Sequence, residues 1–282
     1  IAKADVINSL AEIAVENNYC KPEIDESDDF IVNGGRHAVL EKILPLGEYV
    51  SNDLELKSNT TEATQFMILT GPNMAGKSTY MRQNALIVIL AQIGSWVPAD
   101  YAKIGVVDKV FTRVGASDDL TLGQSTFMVE MIETSFILNA ATDRSFILLD
   151  EIGRGTSTYD GVAIAWSVAE YIATKVKARC IFATHYHELN VMTKSYPQIK
   201  NFRITIAEQN GEIEFLRKIV PGGASKSYGI QVAKMAGLPA AVIKRSEDLM
   251  LKMQKDFSNN LATRKKMVNN EDGVPQLSLF GM

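Results

Sequence analysis

Apolar residues along this chain follow two spacings that alternate with each other. Continuous apolar runs, typical of strands buried on both faces, occur at 65–70, 145–149 and 179–183. Longer segments that repeat apolar residues at helical intervals occur at 78–93, 125–141 and 161–173. A further strand is predicted near 106–113. Strands that alternate with helices predict an α/β fold with a mainly parallel sheet flanked by helices.

The segments before and after this alternating region have other patterns. A helix is predicted over 6–15, an acidic connector follows at 21–29, and short strands are predicted at 30–32 and 48–50. Beyond the last buried strand, the chain is expected to form a β-hairpin. Its two strands and its turn are predicted at 201–207, 212–219 and Asn210-Gly211.

Two apolar-periodic helices, 229–236 and 240–253, are joined by Gly237-Leu238-Pro239 in a helix-turn-helix pattern. Such a pattern can read DNA, or it can pack or dimerise through its apolar positions. We favour packing or dimerisation, because the best positions are apolar and few residues there are basic, among them Lys234, Lys244 and Arg245. The polar stretch of mixed charge at 257–274 predicts a flexible linker.

The composition limits the class of protein. The 282 residues are 46% hydrophobic and 22% charged, which is enough apolar material for one large α/β domain with appendages. A formal net charge of -4 gives no general attraction to nucleic acid. Cys20 and Cys180 follow no metal-ligand or redox spacing, which predicts structural thiols in a reducing cytosol. No apolar run reaches the roughly 18 to 20 residues that span a bilayer, so no membrane partner is expected. Because the chain opens at Ile1 within a helical pattern, we expect a fragment of a longer protein.

A glycine-rich segment connects the strand at 65–70 to the helix at 78–93. Its residues form a complete phosphate-binding loop: Gly71, Pro72, Asn73, Met74, Ala75, Gly76, Lys77, Ser78 and Thr79. The glycines let successive backbone N–H groups point at phosphate oxygens, and the helix dipole favours the negative charge. We expect Lys77 to reach the β- and γ-phosphates and Ser78 to ligand Mg²⁺. The segment therefore predicts binding of a nucleoside triphosphate.

Two adjacent carboxylates, Asp150 and Glu151, follow the buried strand at 145–149. Ligands of open α/β sheets bind at the carboxyl ends of the strands. We therefore expect Asp150 to support Mg²⁺ together with Ser78, and Glu151 to orient or deprotonate the attacking water. Acidic residues at strand ends also commonly begin turns, but the phosphate loop upstream favours the catalytic role.

Two further side chains are candidates for the same site. His185 follows the strand at 179–183, where a neutral imidazole can contact the γ-phosphate or the attacking water, and His187 is the weaker choice. Gln92 ends the helix after the phosphate loop and is a candidate link between Mg²⁺, water and neighbouring segments. The ordinary alternatives are an incidental loop histidine and a solvated glutamine.

The helix at 125–141 opens with Ser125 at its predicted cap position. A capped helix is one explanation of this serine. The other is that Ser125 and the helix N-terminus present donors to a γ-phosphate that belongs to the opposing subunit, as in ABC-type ATPases. ATP is then sandwiched between two subunits, and hydrolysis requires a dimer.

Together these motifs resemble the C-terminal ATPase domain of the MutS mismatch-repair family, over nearly the whole chain. The segments that carry the resemblance are 71–79, 125–128, 150–156, 183–186 and 224–229. The resemblance implies a P-loop NTPase of the ABC type that works as a homodimer, with ATP/ADP and Mg²⁺ as its cofactors. It further implies a role in switching the full protein between mismatch search and a sliding clamp on double-stranded DNA, MutL as a partner, and a bacterial, cytoplasmic, nucleoid-associated location.

The resemblance also implies roles for single residues. Tyr49 falls where the family stacks a side chain on adenine, with Val50 beside it. The loop 153–160 is implied to cross the dimer interface, where Ser157 or Thr158 reports the nucleotide state of the partner.

Two positions depart from the family pattern. Ala38 stands where a proline is usual, which changes a turn. Arg217 stands where some members place an aromatic residue or histidine against the base, so that second contact with adenine is in doubt.

The chain end carries a short apolar motif. Its residues resemble the peptide that bacterial proteins insert into the replicative sliding clamp: Gln276, Leu277, Ser278, Leu279 and Phe280. The alternative is an apolar terminus that packs on its own domain or on a dimer partner. The predicted division of the chain is a lever-helix end and connector, an ATPase domain, a dimerising helix-turn-helix, a linker and this tail: 1–28, 29–224, 225–256, 257–275 and 276–282.

Two other functions compete with this interpretation. One is the ATPase head of another DNA-associated ABC protein, either an SMC-like protein or a recombination-related MutS paralogue. SMC-like heads have a long coiled-coil insertion between the phosphate loop and the helix that corresponds to 125–141, and the short interval between Lys77 and Ser125 leaves no room for one. The other is a dimerisation module that binds nucleotide without turnover, which the complete set of catalytic residues disfavours.

Overall fold

A computed structural model describes residues 1–45, 47–58, 63–115, 125–209, 212–224 and 228–253. The chain divides into two compact units, Ile1–Gln209 with Glu214–Ser225, and Asn210–Ile213 with Lys226–Met282. Within the described residues, no helix has both the length and the apolar character needed to cross a membrane.

The described elements follow the alternation that the sequence predicts. The strands are β1 (Glu23–Asp25), β2 (Asp29–Gly35), β3 (Asn52–Lys57), β4 (Phe66–Thr70), β5 (Tyr101–Gly105), β6 (Val110–Arg113), β7 (Phe146–Asp150), β8 (Arg179–Thr184), β9 (Ile199–Gln209) and β10 (Glu212–Pro221). The helices are α1 (Ala2–Glu16), α2 (Leu40–Ile43), α3 (Lys77–Gln92), α4 (Thr126–Ala140), α5 (Thr158–Tyr171), α6 (Gly229–Met235) and α7 (240–253). A π-helical turn at Ile172–Val176 continues α5, and a 3₁₀ helix spans His187–Lys194.

The larger sheet has six strands in the order β10-β9-β4-β8-β7-β6. Its pairs β6 with β7, β7 with β8, β8 with β4 and β4 with β9 are all parallel, which confirms the predicted mainly parallel α/β fold. Thr70 pairs with Thr184, and Asp150 pairs with Ala183. The carboxyl ends of β4, β7 and β8 therefore meet at one edge of the sheet.

A smaller sheet of four strands, in the order β1-β5-β2-β3, corrects three local predictions. The predicted strand at 48–50 is irregular, and the strand is Asn52–Lys57, where buried Leu54 and Leu56 alternate with exposed charged residues. The predicted strand near 106–113 is the short β6 alone, preceded by the separate β5. The acidic connector contains β1, because Ile24 pairs with Ile104 of β5.

The six-stranded sheet has an apolar core on each of its faces. Met67 and Leu69 pack with α3 and the smaller sheet, whereas Phe66 and Ile68 pack with α5 on the opposite face. Because neighbouring side chains of a strand point to opposite faces, a strand covered on both sides must be apolar throughout. This double coverage explains the continuous apolar runs in the sequence.

A buried arginine joins the two sheets at the start of β8. Arg179 is 1% exposed and donates to the carbonyl oxygens of Asp29, Gly105, Val106 and Arg144. A guanidinium carries five N–H groups and can satisfy several carbonyl groups at once. Arg179 is the first residue of β8. Its hydrogen bonds therefore anchor the start of the strand that leads to the predicted catalytic edge.

The second unit contains the predicted helix pair, α6 and α7, separated by 236–239. Large apolar side chains of this pair are exposed: Met235, Leu238, Val242, Leu249, Leu251 and Met253. The predicted hairpin turn at Asn210-Gly211, the linker at 257–274 and the tail at 276–282 lie outside the described residues.

Candidate phosphate-binding site

The glycine-rich loop runs from the end of β4 to the start of α3. Gly71 and Gly76 have φ values of 146° and 110°, and Met74 also has a positive φ of 67°. A Cβ atom on Gly71 would lie 2.5 Å from Cγ2 of Ile204, so a larger residue would not fit there. Gly76 occupies the N-cap position of α3. The loop therefore places its backbone at a helix N-terminus, where N–H groups are free to bind an anion.

Lys77 lies over this loop. Its Nζ donates to the carbonyl oxygens of Gly71 and Pro72, at 2.6 and 3.1 Å, and the residue is only 4% exposed. Burial lowers the pKa of Lys77, although the charges of Glu151 and Asp150 oppose that shift. The ammonium group is therefore held at the loop by chain carbonyls and faces two carboxylates.

Ser78 and Asp150 meet at the same place. The Ser78 hydroxyl donates to Oδ2 of Asp150 at 2.5 Å. Oδ1 of Asp150 is buried and has no hydrogen-bond partner among the described residues. Burial raises the pKa of Asp150, the Ser78 hydrogen bond lowers it, and the neighbouring Glu151 charge raises it further. A hydroxyl oxygen beside a carboxylate with a free buried oxygen fits the oxygen ligands that Mg²⁺ requires.

Glu151 begins the turn after β7 in a left-handed conformation, with φ of 57°. Its N–H donates to the carbonyl oxygen of Ala183 at 2.9 Å, and its carboxylate forms an ion pair with Arg154. With the Asn73 amide turned so that its nitrogen faces Glu151, Asn73 donates to Oε1 of Glu151 at 2.7 Å. The phosphate loop and the turn after β7 thus hold this carboxylate from two sides.

His185 follows β8 at the same edge of the sheet. Burial lowers its pKa, with partial opposition from Glu151, and its ring centroid lies 4.2 Å from that of Tyr186. This shift favours the neutral imidazole, the form that its predicted role requires. His187 begins the 3₁₀ helix, and its Nδ1 is buried with no partner among the described residues.

The structure places Gln92 away from the phosphate loop. It ends the sixteen-residue helix that Lys77 begins, so roughly 22 Å of helix separates the two. Its amide donates to the carbonyl oxygen of Val107 at 2.9 Å and accepts from the Val107 N–H at 2.6 Å. The Gln92 side chain therefore hydrogen-bonds the backbone of the segment before β6, and it does not reach the phosphate loop.

Two cavities adjoin the loop. The larger, of about 430 Å³, includes Lys77, Ser78, Asp150 and Glu151 in its lining. The smaller, of about 180 Å³, has the following residues in its lining: Tyr49, Val50, Met74, Gly76, Thr79 and Arg217. Met74, Gly76 and Thr79 line both cavities, so the two share the loop as a wall.

The smaller cavity holds the residues predicted to contact a base. The Tyr49 hydroxyl donates to Oε1 of Gln83 at 2.7 Å, and burial raises the pKa of Tyr49 to about 12. Asn52 donates to the carbonyl oxygens of Val50 and Arg217, and it thereby connects these two residues of the cavity wall. Arg217 therefore lies on the wall of this cavity.

Ser125 caps α4, as predicted. Its Oγ accepts from the N–H of Met128 at 3.2 Å, and the residue is exposed. The segment 116–124 before it lies outside the described residues. Ser157 caps α5 in the same way and accepts from the N–H of Asp160.

A family model described as MutS domain V matches residues 67–254. The chain belongs to the MutS family. This match confirms the resemblance to the MutS family that the motifs indicate. The chain is 57% identical over 256 residues to the DNA mismatch repair protein MutS of Thermodesulfovibrio yellowstonii, covering 89% of the chain and 30% of that protein. It is 51% identical over 281 residues to the protein of the same name from Fusobacterium nucleatum, covering 100% of the chain and 30% of that protein. The chain thus spans under a third of the length of these MutS relatives.

Three charged residues of this MutS chain line the larger cavity without having been predicted from sequence. They are Arg113 at the end of β6, Glu130 on α4 and Arg154 beside Glu151. The side chains of Arg113 and Glu130 are less than 10% exposed. Buried charge on an otherwise apolar strand or helix is a signal in the sequence, but its partners become visible only in the fold.

Proposed function

We propose that this chain is the ATP-binding and ATP-hydrolysing C-terminal domain of a bacterial MutS protein, and that it dimerises through its nucleotide sites. The observation that carries this proposal is the contact between Ser78 and Asp150. The first residue follows the phosphate-loop lysine, the second ends β7, which β8 separates from β4 in the same sheet, and the fold brings their oxygens to 2.5 Å. This arrangement is the magnesium-binding pair of a P-loop NTPase.

We assign the phosphates of the nucleotide to the larger cavity and its base to the smaller one. The loop backbone and Lys77 bind the phosphates, Tyr49 stacks on adenine, and Val50 lies beside it. Ser78 and Asp150 hold Mg²⁺, which neutralises phosphate charge when bound. Arg217 lies on the wall of the base cavity and is a candidate second contact with the base.

Glu151 and His185 act on the attacking water. Glu151 orients the water and accepts its proton as the new bond to the γ-phosphorus forms and the bond to the bridging β–γ oxygen breaks, which releases ADP. His185, neutral at pH 7, contacts the γ-phosphate or the same water. Ser125 and the N-terminus of α4 supply donors to the γ-phosphate of the opposing subunit, and Ser157 or Thr158 responds to its nucleotide state.

The partners of the whole protein follow from the family. We assign mismatched double-stranded DNA to parts outside this chain, MutL to an undefined surface, and the replicative sliding clamp to residues 276–280. Deleting 276–282 is expected to abolish clamp binding in surface plasmon resonance while ATP binding persists. Undiminished clamp binding would refute the assignment of the tail.

The deciding experiment compares Ser78→Ala with Ser167→Ala in ATP binding and steady-state hydrolysis, with and without Mg²⁺. Ser167 is an exposed serine on α5 whose hydroxyl donates to the carbonyl oxygen of Ala163 in the same helix. We expect Ser78→Ala to lose the magnesium dependence of binding and most of the turnover, whereas Ser167→Ala matches the wild type. Tight ATP binding without turnover by the wild type would favour the alternative, a dimerisation module.

A further inference from the structure

The backbone of Gly153, two residues after Glu151, is held from two sides by buried side chains. Oε1 of Glu130 on α4 accepts from the Gly153 N–H at 2.6 Å. The Tyr186 hydroxyl donates to the Gly153 carbonyl oxygen at 2.8 Å. Burial, followed by the charge of Glu130, raises the pKa of Tyr186, so this hydroxyl remains protonated and able to donate at pH 7.

A third contact fixes the same backbone against α5. Gly153 has φ of 90°, and a Cβ atom on it would lie 2.5 Å from the carbonyl oxygen of Gly161. A Cβ atom on Gly161 would lie 2.3 Å from the Gly153 carbonyl oxygen and from the Tyr186 hydroxyl. Both positions therefore need glycine, and the turn that begins with Glu151 has little freedom to shift.

Burial of the charged Glu130 side chain at this position costs folding free energy. The residue is 6% exposed, and its second carboxylate oxygen lies 3.9 Å from Nη2 of Arg113. The Nε atom of the same arginine pairs with Glu133 at 2.7 Å. An apolar residue of similar volume commonly stabilises a buried position as well as an ion pair does. What an apolar residue cannot supply is the acceptor for the Gly153 N–H.

We propose that Glu130 and Tyr186 are positioning residues for ATP hydrolysis, which clamp Gly153 so that the turn presents the Glu151 carboxylate to the nucleotide cavity. This proposal rests on the proposed ATPase function. It connects the helix that Ser125 caps to the catalytic carboxylate, and it connects Glu151 to the segment that carries His185, the residue before Tyr186.

The clamp gives α4 a direct mechanical effect on the catalytic turn. Glu130 lies five residues after the cap Ser125, roughly 7.5 Å along the helix axis. A displacement of α4 that follows engagement of Ser125 either moves the Gly153 backbone or breaks the 2.6 Å hydrogen bond. Hydrolysis by Glu151 thereby becomes sensitive to the position of α4.

The test uses the protein that carries this chain with four substitutions: Glu130→Leu, Glu130→Gln, Tyr186→Phe and the control Glu133→Gln. Glu133 shares the Arg113 partner, is half exposed, and forms no bond to Gly153. ATP affinity is measured by equilibrium binding, and kcat and KM by steady-state hydrolysis. Loss of one buried hydrogen bond predicts a kcat lower by about tenfold to a hundredfold in Glu130→Leu and Tyr186→Phe, with unchanged ATP affinity.

Glu130→Gln keeps an acceptor oxygen for Gly153, so we expect it to restore most of the activity that Glu130→Leu loses. The double variant Glu130→Leu with Tyr186→Phe is expected to lose no more than the worse single variant, because both groups hold one backbone segment. Glu133→Gln is expected to match the wild type.

Several outcomes would overturn the clamp. Wild-type kcat in Tyr186→Phe, additive losses in the double variant, or an equal loss in Glu133→Gln would each refute it. Equal loss in Glu130→Gln and Glu130→Leu would show that Glu130 acts through its charge and not as an acceptor. Tyr186→Phe conserves shape and decides the question if Glu130→Leu does not fold. Failure of the wild type to bind or hydrolyse ATP would instead refute the proposed function.

Discussion

The carboxylate of Glu151 forms an ion pair with Arg154, three residues further along the chain. Asn73, in the phosphate loop, engages the other oxygen of the same carboxylate. The proposed base is therefore connected both to the loop that binds phosphate and to the turn that Glu130 and Tyr186 hold. A movement of Asn73 with the phosphate loop therefore changes the hydrogen bonding of this proposed base.

Replacing Glu151 with alanine separates binding from turnover. The substitution leaves the loop, Lys77 and Ser78 in place, so we expect ATP affinity to persist while steady-state hydrolysis falls by about a hundredfold to ten-thousandfold, the usual contribution of a general base. Equilibrium binding and phosphate release measure the two quantities. Glu55→Ala, at a largely exposed position of β3, is the control. Normal turnover by Glu151→Ala would remove Glu151 from the catalytic role.

Asp150→Asn is expected to stabilise the magnesium-free protein at neutral pH. Burial raises the pKa of Asp150 above its ordinary value of 3.8, so the folded state binds this proton more tightly than the unfolded state does. The resulting cost to stability is full above the folded-state pKa and disappears as the pH falls below about 3.8. Urea midpoints with EDTA across this range measure the difference between variant and wild type.

The matched control for this prediction is Asp108→Asn, for which the sign reverses. Burial acts to raise the pKa of Asp108, but hydrogen bonds from Ser145 and Thr142 outweigh it and lower the pKa. Its carboxylate therefore stabilises the folded state at neutral pH, and Asp108→Asn is expected to lower the urea midpoint. A lower midpoint for Asp150→Asn as well would contradict the expected cost of the charged Asp150 carboxylate to the folded state.

Sequence alone predicts the parts of this site that local pattern determines. The phosphate loop, the strand that ends at Asp150 and the cap at Ser125 each follow from short-range spacing. Gln92 was misplaced because the length of α3 was not weighed: sixteen residues rise by roughly 22 Å, which carries the last one away from the phosphate loop at the N-terminus of the helix. Glu130 escaped notice because its partner Gly153 lies 23 residues away, and only the packing of α4 on the turn brings them together.

Tyr49 provides a test of the base cavity. Stacking of an aromatic ring on a base contributes about 1 to 3 kcal/mol, so Tyr49→Ala is expected to weaken ATP binding by roughly tenfold to a hundredfold. Tripolyphosphate, which has no base, should bind the variant as it binds the wild type. Tyr49→Phe keeps the ring and loses only the hydrogen bond to Gln83, so its ATP affinity should stay near that of the wild type. Equal weakening of ATP and tripolyphosphate would place the base elsewhere.

The dimer prediction can be tested by sedimentation of the Glu151→Ala chain with and without ATP and Mg²⁺. If Ser125 supplies donors to the phosphate of the opposing subunit, the nucleotide joins the two copies, and the dimer forms only when it is bound. Ser125→Ala is then expected to weaken that dimer, whereas Ser125→Thr keeps both the hydroxyl and a cap for α4 and should preserve it. A dimer that forms equally with and without nucleotide would instead assign the dimer contact to the exposed apolar side chains of α6 and α7. A persistent monomer would mean that this interface needs parts of the protein outside the chain.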